Sequence, residues 1–358
     1  MTSRIVILMP SIDKNAFGVD ELLARQDVYC SQLLDLDDAQ FEKPLVIVSG
    51  RKTPKMVFRN MDVYIADVRS DSILSFVMEA RKILRSEAVN VKSYVAGTPF
   101  QPFLAALLLH KFYARAPIHT AIHGEVSALR TGGSSNRLKF LFLKLFISKA
   151  STLRFVSKRQ FVEACELLPI SKTTTFVTPV PVLITKEISN RKKPQTIAFV
   201  GRLQSERGVH EWIEIARHFN ESSLVVIGEG PLLLTAKLLI PQAKFFGYLE
   251  NSKVQEIWSE IGVLLSTAQF ESYGLAMREA LLHGVPVVSR RNAGSLELQA
   301  QYPKLVALYE SPQEAVEKIH DVLAHTPSID DFNQFREEFF SSQKISLQNL
   351  ARAWSNEL

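Results

Sequence analysis

The stretch Val263-Leu-Leu-Ser266-Thr-Ala-Gln-Phe270-Glu271-Ser-Tyr273-Gly274-Leu275-Ala-Met-Arg278-Glu279-Ala-Leu-Leu-His283-Gly284-Val285-Pro286-Val-Val-Ser289 decides the architecture. Val263–Ser266 is a short apolar run of the kind found where a parallel strand is covered on both faces. Leu275–His283 reads as a helix opened by Gly274 and closed by Gly284, and Val285–Ser289 as a second strand. Strand, loop, helix and strand in succession are the repeat of a doubly wound α/β sheet.

The same stretch carries candidate chemistry. Glu271 lies in the loop after a buried strand, and Glu279 in the first turns of a helix whose other positions are mostly apolar. The backbone N–H groups of Gly274 and Leu275 at the helix start suit a phosphate or sugar oxygen, and a carboxylate such as Glu279 can accept both hydroxyls of a ribose diol. Read instead as plain N-terminal helix charges, the two glutamates would be favourable to the helix dipole. That reading leaves an acid on an otherwise apolar segment unexplained.

Upstream, two further strand ends run into glycines. Gly201-Arg202-Leu203-Gln204-Ser205-Glu206-Arg207-Gly208 follows the strand Thr196–Val200, and Gly228-Glu229-Gly230-Pro231 follows Ser223–Ile227. Such turns present N–H groups to an anion, and Arg202 and Arg207 add forked donors suited to a diphosphate. Each turn taken singly is equally consistent with a strand-end turn beside solvated arginines.

The alternation extends over the whole chain. In the first half, Ile5–Met9, Leu45–Ser49, Val91–Val95, Ile118–Ile122 and Leu153–Ser157 read as strands, with helices over Ser72–Glu87 and Pro102–Tyr113. In the second half, Lys244–Phe246 and Leu305–Tyr309 complete the strands, with helices over Val209–Phe219, Lys253–Ile261 and Pro312–Ala324. At 358 residues the chain exceeds what one core serves. We therefore expect an N-terminal domain over 1–185, a charged, proline-flanked linker over 186–195, a C-terminal domain over 196–330, and over 331–358 a pair of helices that packs on what precedes it and crosses back to the first domain. Two such sheets facing one another imply ligands in a central cleft beyond the carboxyl ends of the strands.

Composition narrows the function classes. The net charge of +5 would suit nucleic acid, anionic lipid or phosphorylated small molecules, but no nucleic-acid-binding motif accompanies it. Cys30 and Cys165 stand alone, which supports neither a disulfide framework nor a zinc site. The start of the chain lacks the features of a signal peptide, and no apolar segment reaches the ~20 residues of a membrane span, so a cytoplasmic protein is expected. Segment 137–149, with Arg137, Lys144 and Ser148 at helical spacing, suits either a helix lying on anionic lipid or one covering a sheet, and the second is preferred.

The spacing Glu271-x7-Glu279, within Phe-Glu-Ser-Tyr-Gly-Leu-Ala-Met-Arg-Glu-Ala-Leu-Leu-His-Gly-Val-Pro, resembles the signature of retaining GT-B glycosyltransferases of the large family-4 type. Gly201-Arg202-Leu203…Arg207-Gly208, Gly228-Glu229-Gly230-Pro231 and Phe246-Gly247-Tyr248-Leu249 resemble that family's donor-domain turns, in the expected order. The resemblance implies two Rossmann-like domains, a UDP- or GDP-sugar donor, a glycan or lipid-linked acceptor in surface polysaccharide or glycoconjugate synthesis, no metal or other cofactor, and retention of configuration. By the same resemblance Arg202 and Arg207 hold the diphosphate, Glu271 faces the donor sugar, Gly274 and Leu275 donate backbone hydrogen bonds, Glu279 holds the ribose, and Gly228 and Tyr248 border the donor. In the first half, Ile118-His-Thr-Ala-Ile-His123-Gly124 resembles the segment whose histidine reaches the sugar, which makes His123 a catalytic candidate and His119 a structural one. Two departures stand out: the family's double-glycine loop is represented only by Gly18, and its Asn-Gly turn by Thr178-Pro-Val-Pro. A nucleotide-sugar epimerase and a catalytically silent sugar-nucleotide-binding subunit are the alternatives on this fold.

Overall fold

The computed structural model describes residues 3–10, 19–35, 42–50, 58–68, 72–182, 195–219 and 223–356, and the chain divides into two units. Gly18 and all of the 186–195 linker except Gln195 lie outside the described residues. The first unit comprises Met1–Pro181 with Gln343–Leu358, and the second Val182–Ser342.

In the first unit the order is β1 (Ser3–Met9), α1 (Val19–Leu34), β2 (Leu45–Gly50), β3 (Asp62–Asp67), α2 (Ile73–Ser86), β4 (Asn90–Ala96), α3 (Gln101–Phe112), β5 (Ile118–Ile122), α4 (Val126–Thr131), α5 (Ser134–Phe146), β6 (Thr152–Phe155), α6 (Lys158–Leu167) and β7 (Thr174–Val177). The strands form one parallel sheet ordered β3-β2-β1-β4-β5-β6-β7. Strand alternation sends Val6 and Leu8 to the core under α2 and α3, and Ile5 and Ile7 to a second core with Leu23, Tyr29 and Leu33 of α1. Local signals agree with the packing. The Ser72 side chain caps α2 by accepting from the Ser75 N–H, and Phe76, Ala80 and Leu84 recur at helical spacing on its buried face.

The second unit runs β8 (Thr196–Val200), α7 (Val209–Ala216), β9 (Ser223–Ile227), α8 (Leu233–Leu239), β10 (Lys244–Gly247), α9 (Asn251–Ile257), β11 (Val263–Ser266), α10 (Leu275–Leu282), β12 (Val287–Arg290), α11 (Ala293–Gln301), β13 (Val306–Tyr309) and α12 (Pro312–Ala324). Its sheet is parallel, in the order β10-β9-β8-β11-β12-β13. That order is the doubly wound nucleotide-binding one. β12 starts later than its sequence reading because Pro286 has no N–H to enter the ladder.

Two strands escape the sequence reading, β3 and β7, and both are sheet edges with half-exposed residues rather than continuous apolar runs. A further difference lies at the end of the chain: where a pair of helices is expected, Ile329–Ser355 is one helix, α13. Phe332 and Phe335 near its start join a core of the second unit. Leu347, Leu350, Ala351 and Trp354 near its end complete the α1 core of the first, where Trp354 meets the Tyr29 ring edge-on at 5.7 Å and its carbonyl accepts from the Ser93 hydroxyl at 2.8 Å.

Helix α5 serves two faces. Phe140, Phe142, Leu143 and Phe146 pack on the core, which fits the sheet-covering reading of 137–149. Leu138, Leu141 and Leu145 are more than half exposed. At 100° per residue Arg137 and Lys144 fall beside these leucines, not opposite them. Among the described residues no helix is long and apolar enough to cross a membrane.

Candidate active site

The switch point of the second sheet lies between β8 and β11. The helix after β8, α7, packs into one core through Val209, Trp212 and Ile213, whereas α10, after β11, packs into the other through Met277, Ala280 and Leu281. The connections therefore part to opposite faces and leave a crevice at the carboxyl ends of the two strands. A recess of about 50 Å³ there is lined by Gly201, Arg207, Thr267, Glu271, Gly274 and their neighbours.

Glu271 is fixed at this recess through both carboxylate oxygens. One pairs with the Arg207 guanidinium, and the other accepts from the Gly274 N–H at 3.1 Å, at the start of α10. Its backbone is held as well. The Glu271 carbonyl accepts from the Gly294 N–H at 2.7 Å, and the Ala268 carbonyl from the Asn292 side chain at 2.9 Å. Asn292 also caps α11 in a reciprocal capping box with Ser295. Beneath the loop the Arg278 guanidinium stacks 3.7 Å over the Tyr273 ring.

Arg207 is delivered by an equally tight backbone contact. The Thr267 hydroxyl donates to the Arg207 carbonyl at 3.0 Å. Next to it, Gly208 has φ +69°, and a Cβ there would lie 2.1 Å from the Thr267 carbonyl oxygen. Only glycine fits both the space and the left-handed backbone. Gly228 serves a similar purpose one strand over: its N–H donates to the Gly247 carbonyl at 2.8 Å, and a Cβ would sit 1.9 Å from the Gly201 carbonyl oxygen. The structure thus places Gly228 in backbone packing between strand ends, with its amide engaged.

The remaining candidates of this unit share the same end of the sheet. Arg202 is half-buried immediately after Gly201, Leu275 and Glu279 are half-buried on α10, and Tyr248 is exposed after β10. Thr267 and Asn292 are contributors that the sequence reading missed. Asn292-x-x-Ser295 is a readable capping signal, but the short, weakly periodic Ala293–Gln301 that follows hides it.

In the first unit a separate cavity of about 550 Å³ lies at the carboxyl ends of β1, β4 and β5 and includes His123. The His123 Nε2 lies 2.9 Å from the Gly97 carbonyl. A carbonyl only accepts, so Nε2 carries the proton and Nδ1 is left as an acceptor. Solvent reaches the ring from the cavity, yet surrounding protein, then the Arg154 and Arg25 guanidiniums, push its pKa below the ordinary imidazole value against the opposing Gly97 hydrogen bond. The imidazole is therefore neutral near pH 7. His119, four residues earlier on the same strand face, is buried with Nδ1 at 2.7 Å from the Thr152 hydroxyl. The buried Arg154 and the α1 residues Arg25 and Tyr29 also line this cavity, and none was singled out from sequence. The available signal was a charged residue inside the buried strand Thr152–Phe155. Among the described residues no three His, Cys, Asp or Glu side chains gather as a metal site would require.

Two parallel doubly wound α/β units of this kind are a GT-B fold, and solved structures agree over the whole chain. Anabaena HepE in complex with UDP-glucose matches with a TM-score of 0.73 at 15% identity, covering 99% of this chain and 100% of that one. A mutant of S. aureus TarM in complex with Fondaparinux, alpha-GlcNAc-glycerol and UDP matches at 0.74 and 10% identity, covering 99% and 100%. Residues 183–338, which hold the Arg207–Glu271 recess, match the family described as Glycosyl transferases group 1. Among curated relatives, a GDP-mannose-dependent alpha-mannosyltransferase of Corynebacterium glutamicum is 30% identical over 102 residues, 28% of this chain and 24% of that protein. Its counterpart from Mycolicibacterium smegmatis is 27% identical over 104 residues, 29% of this chain and 28% of that protein. The chain thus spans less than a third of the length of these curated relatives.

Gly208→Ala tests the backbone contact that delivers Arg207. The left-handed backbone alone should cost about 1–3 kcal/mol in urea unfolding. Ser205→Ala, exposed in the same turn, should stay within about 0.5 kcal/mol. Equal stability of the two variants would mean that the turn relaxes without disturbing Thr267.

Proposed function

We propose that the protein is a retaining glycosyltransferase that moves a sugar from a UDP- or GDP-sugar held by the second unit to a glycan or lipid-linked acceptor held by the first. The observation that carries this reading is the Glu271 carboxylate, fixed by Arg207 and the Gly274 N–H at the switch-point recess within the segment matched by the glycosyltransferase family. The relatives' names add support for a hexose carried on a nucleoside diphosphate.

On this reading the donor diphosphate lies against the first turn of α10 and the guanidiniums of Arg202 and Arg207, while Glu279 holds the ribose. Breaking the glycosidic bond puts negative charge on the leaving phosphate as the sugar becomes oxocarbenium-like. Fixed donors and cations stabilise that charge, which is the main lever of the reaction. Glu271 and the neutral His123 face the sugar, and the acceptor hydroxyl attacks on the face that the phosphate leaves, passing its proton to the departing phosphate oxygen. Because the arginines supply the positive charge, turnover should persist in excess EDTA. Loss of turnover restored by a divalent ion would overturn the metal-free mechanism.

Glu271→Gln is the central test. The variant should fold and bind nucleoside diphosphate, yet transfer sugar at least ~100-fold more slowly, the scale of one positioned charged group. Melting temperature, nucleotide affinity and single-turnover rate on one preparation separate this from a structural role. Near-normal turnover would remove Glu271 from the reaction centre.

A lipid-linked acceptor fits a peripheral protein at the cytoplasmic face of a membrane, and α5 offers the surface for it. Its exposed leucines lie beside Arg137 and Lys144, and no acidic residue occurs between Glu125 and Glu163. The protein should sediment with vesicles containing anionic phosphatidylglycerol and not with pure phosphatidylcholine. Replacing Leu138, Leu141 and Leu145 together by Ser should weaken that binding at least tenfold, and indifference to lipid charge or to the leucines would exclude this surface.

A further inference from the structure

The cavity of the first unit contains a buried positive charge with no negative partner among the described residues. Arg154 is 5% exposed, and everything it holds is neutral: Nε donates to the Thr178 carbonyl at 2.7 Å, and Nη2 to the Tyr29 hydroxyl at 2.8 Å and the Pro179 carbonyl at 2.7 Å. The guanidinium stands 4.9 Å from the Tyr29 ring centre. No hydrogen bond joins Nη1 to a described residue. A buried charge is ordinarily paired, because its lost hydration is otherwise uncompensated.

The strand register shows where this charge points. His119, Ala121 and His123 alternate onto one face of β5, and Arg154 on β6 lies directly opposite Ala121. The alanine methyl leaves room between the two imidazoles. His119 is 1% exposed, its Nδ1 is engaged by Thr152, and its Nε2 is buried with no partner. In the tautomer whose Nδ1 accepts from the Thr152 hydroxyl, Nε2 carries the proton and is a second donor. Arg25 adds another cation to the lining, and among the described lining residues there is no Asp or Glu.

We propose that this cavity binds an oxyanion, a phosphate or carboxylate carried by the acceptor, with Arg154 Nη1 as its charged donor and His119 Nε2–H as its neutral one. The inference rests on the acceptor being held by the first unit, and it assigns that acceptor a chemical class: an anionic sugar or a sugar phosphate rather than a neutral glycan. The apolar remainder of the wall, from Ile7, Val95 and Trp354, excludes water and strengthens the contact.

Calorimetric titration with glucose 6-phosphate, glucuronate and glucose, each in the presence of saturating UDP, tests it without requiring turnover. The two anionic sugars should bind at least tenfold more tightly than glucose, by a margin that shrinks with added salt, and comparison of the two distinguishes phosphate from carboxylate. Arg154→Met, similar in volume, should abolish the margin, and His119→Phe should reduce it severalfold. His119→Phe also keeps the test decisive should Arg154→Met fail to fold. Equal binding of charged and neutral sugars, or anion binding untouched by the variants that fold, would overturn the proposal. Anion selectivity in a protein that transfers no sugar from UDP- or GDP-sugars to any acceptor would instead leave this site standing while the transferase reading fell.

Discussion

A parallel sheet buried on both faces returns every connection to the same two edges, and at the carboxyl edge of the second unit the strands converge until backbone touches backbone. The Gly201 carbonyl leaves no space for a side chain at Gly228, and the Thr267 carbonyl leaves none at Gly208. These contacts permit only glycine, and they also fix where the next helices begin. α7 and α10 start on opposite sides of β8 and β11, so the partial positive end of α10 and the Arg207 side chain meet at one crevice. What is chemical in this unit depends on that steric constraint.

The ion pair at the crevice acts through orientation and contributes little stability. The Arg207 and Glu271 side chains are about one third and one fifth exposed, and pairs of that kind are worth roughly 0–1 kcal/mol. On the proposed reading a diphosphate competes with Glu271 for Arg207. The carboxylate then keeps the Gly274 N–H and the helix end as its remaining partners. Donor arrival would therefore release one carboxylate oxygen toward the sugar without moving the loop, because Gly294 and Asn292 hold the loop backbone independently.

How much of this was legible in sequence follows from burial. Strands covered on both faces, such as Ile118–Ile122 and Thr196–Val200, are read with the ends they have in the structure because they are short runs rich in β-branched and aliphatic residues. β3 and β7 are missed because an edge strand is half solvated and mixes polar with apolar residues. The single helix α13 reads as two because its apolar residues serve different cores at its two ends, so no one periodic stripe runs through it. In the second unit the candidate residues are local in sequence, between Gly201 and Glu279, and their motif spacing exposes them. In the first unit only His123 stands in such a local motif, whereas Arg154 and Tyr29 meet across 125 positions.

The two arginines illustrate why spacing finds one kind of site and not the other. Arg207 is paired with Glu271 and half-solvated, so its environment supports its charge, and the short motif around it makes it readable. Arg154 is buried among carbonyls and the phenol of Tyr29, and its positive charge adds to burial in depressing the His123 pKa. From sequence, a lone charge in Thr-Leu-Arg-Phe is only an anomaly. Its meaning depends on whether a carboxylate lies across the sheet, which is a tertiary fact. A buried charge without a counter-charge carries an uncompensated loss of hydration. On the reading proposed for the cavity, an anionic group of the acceptor would offset part of that loss.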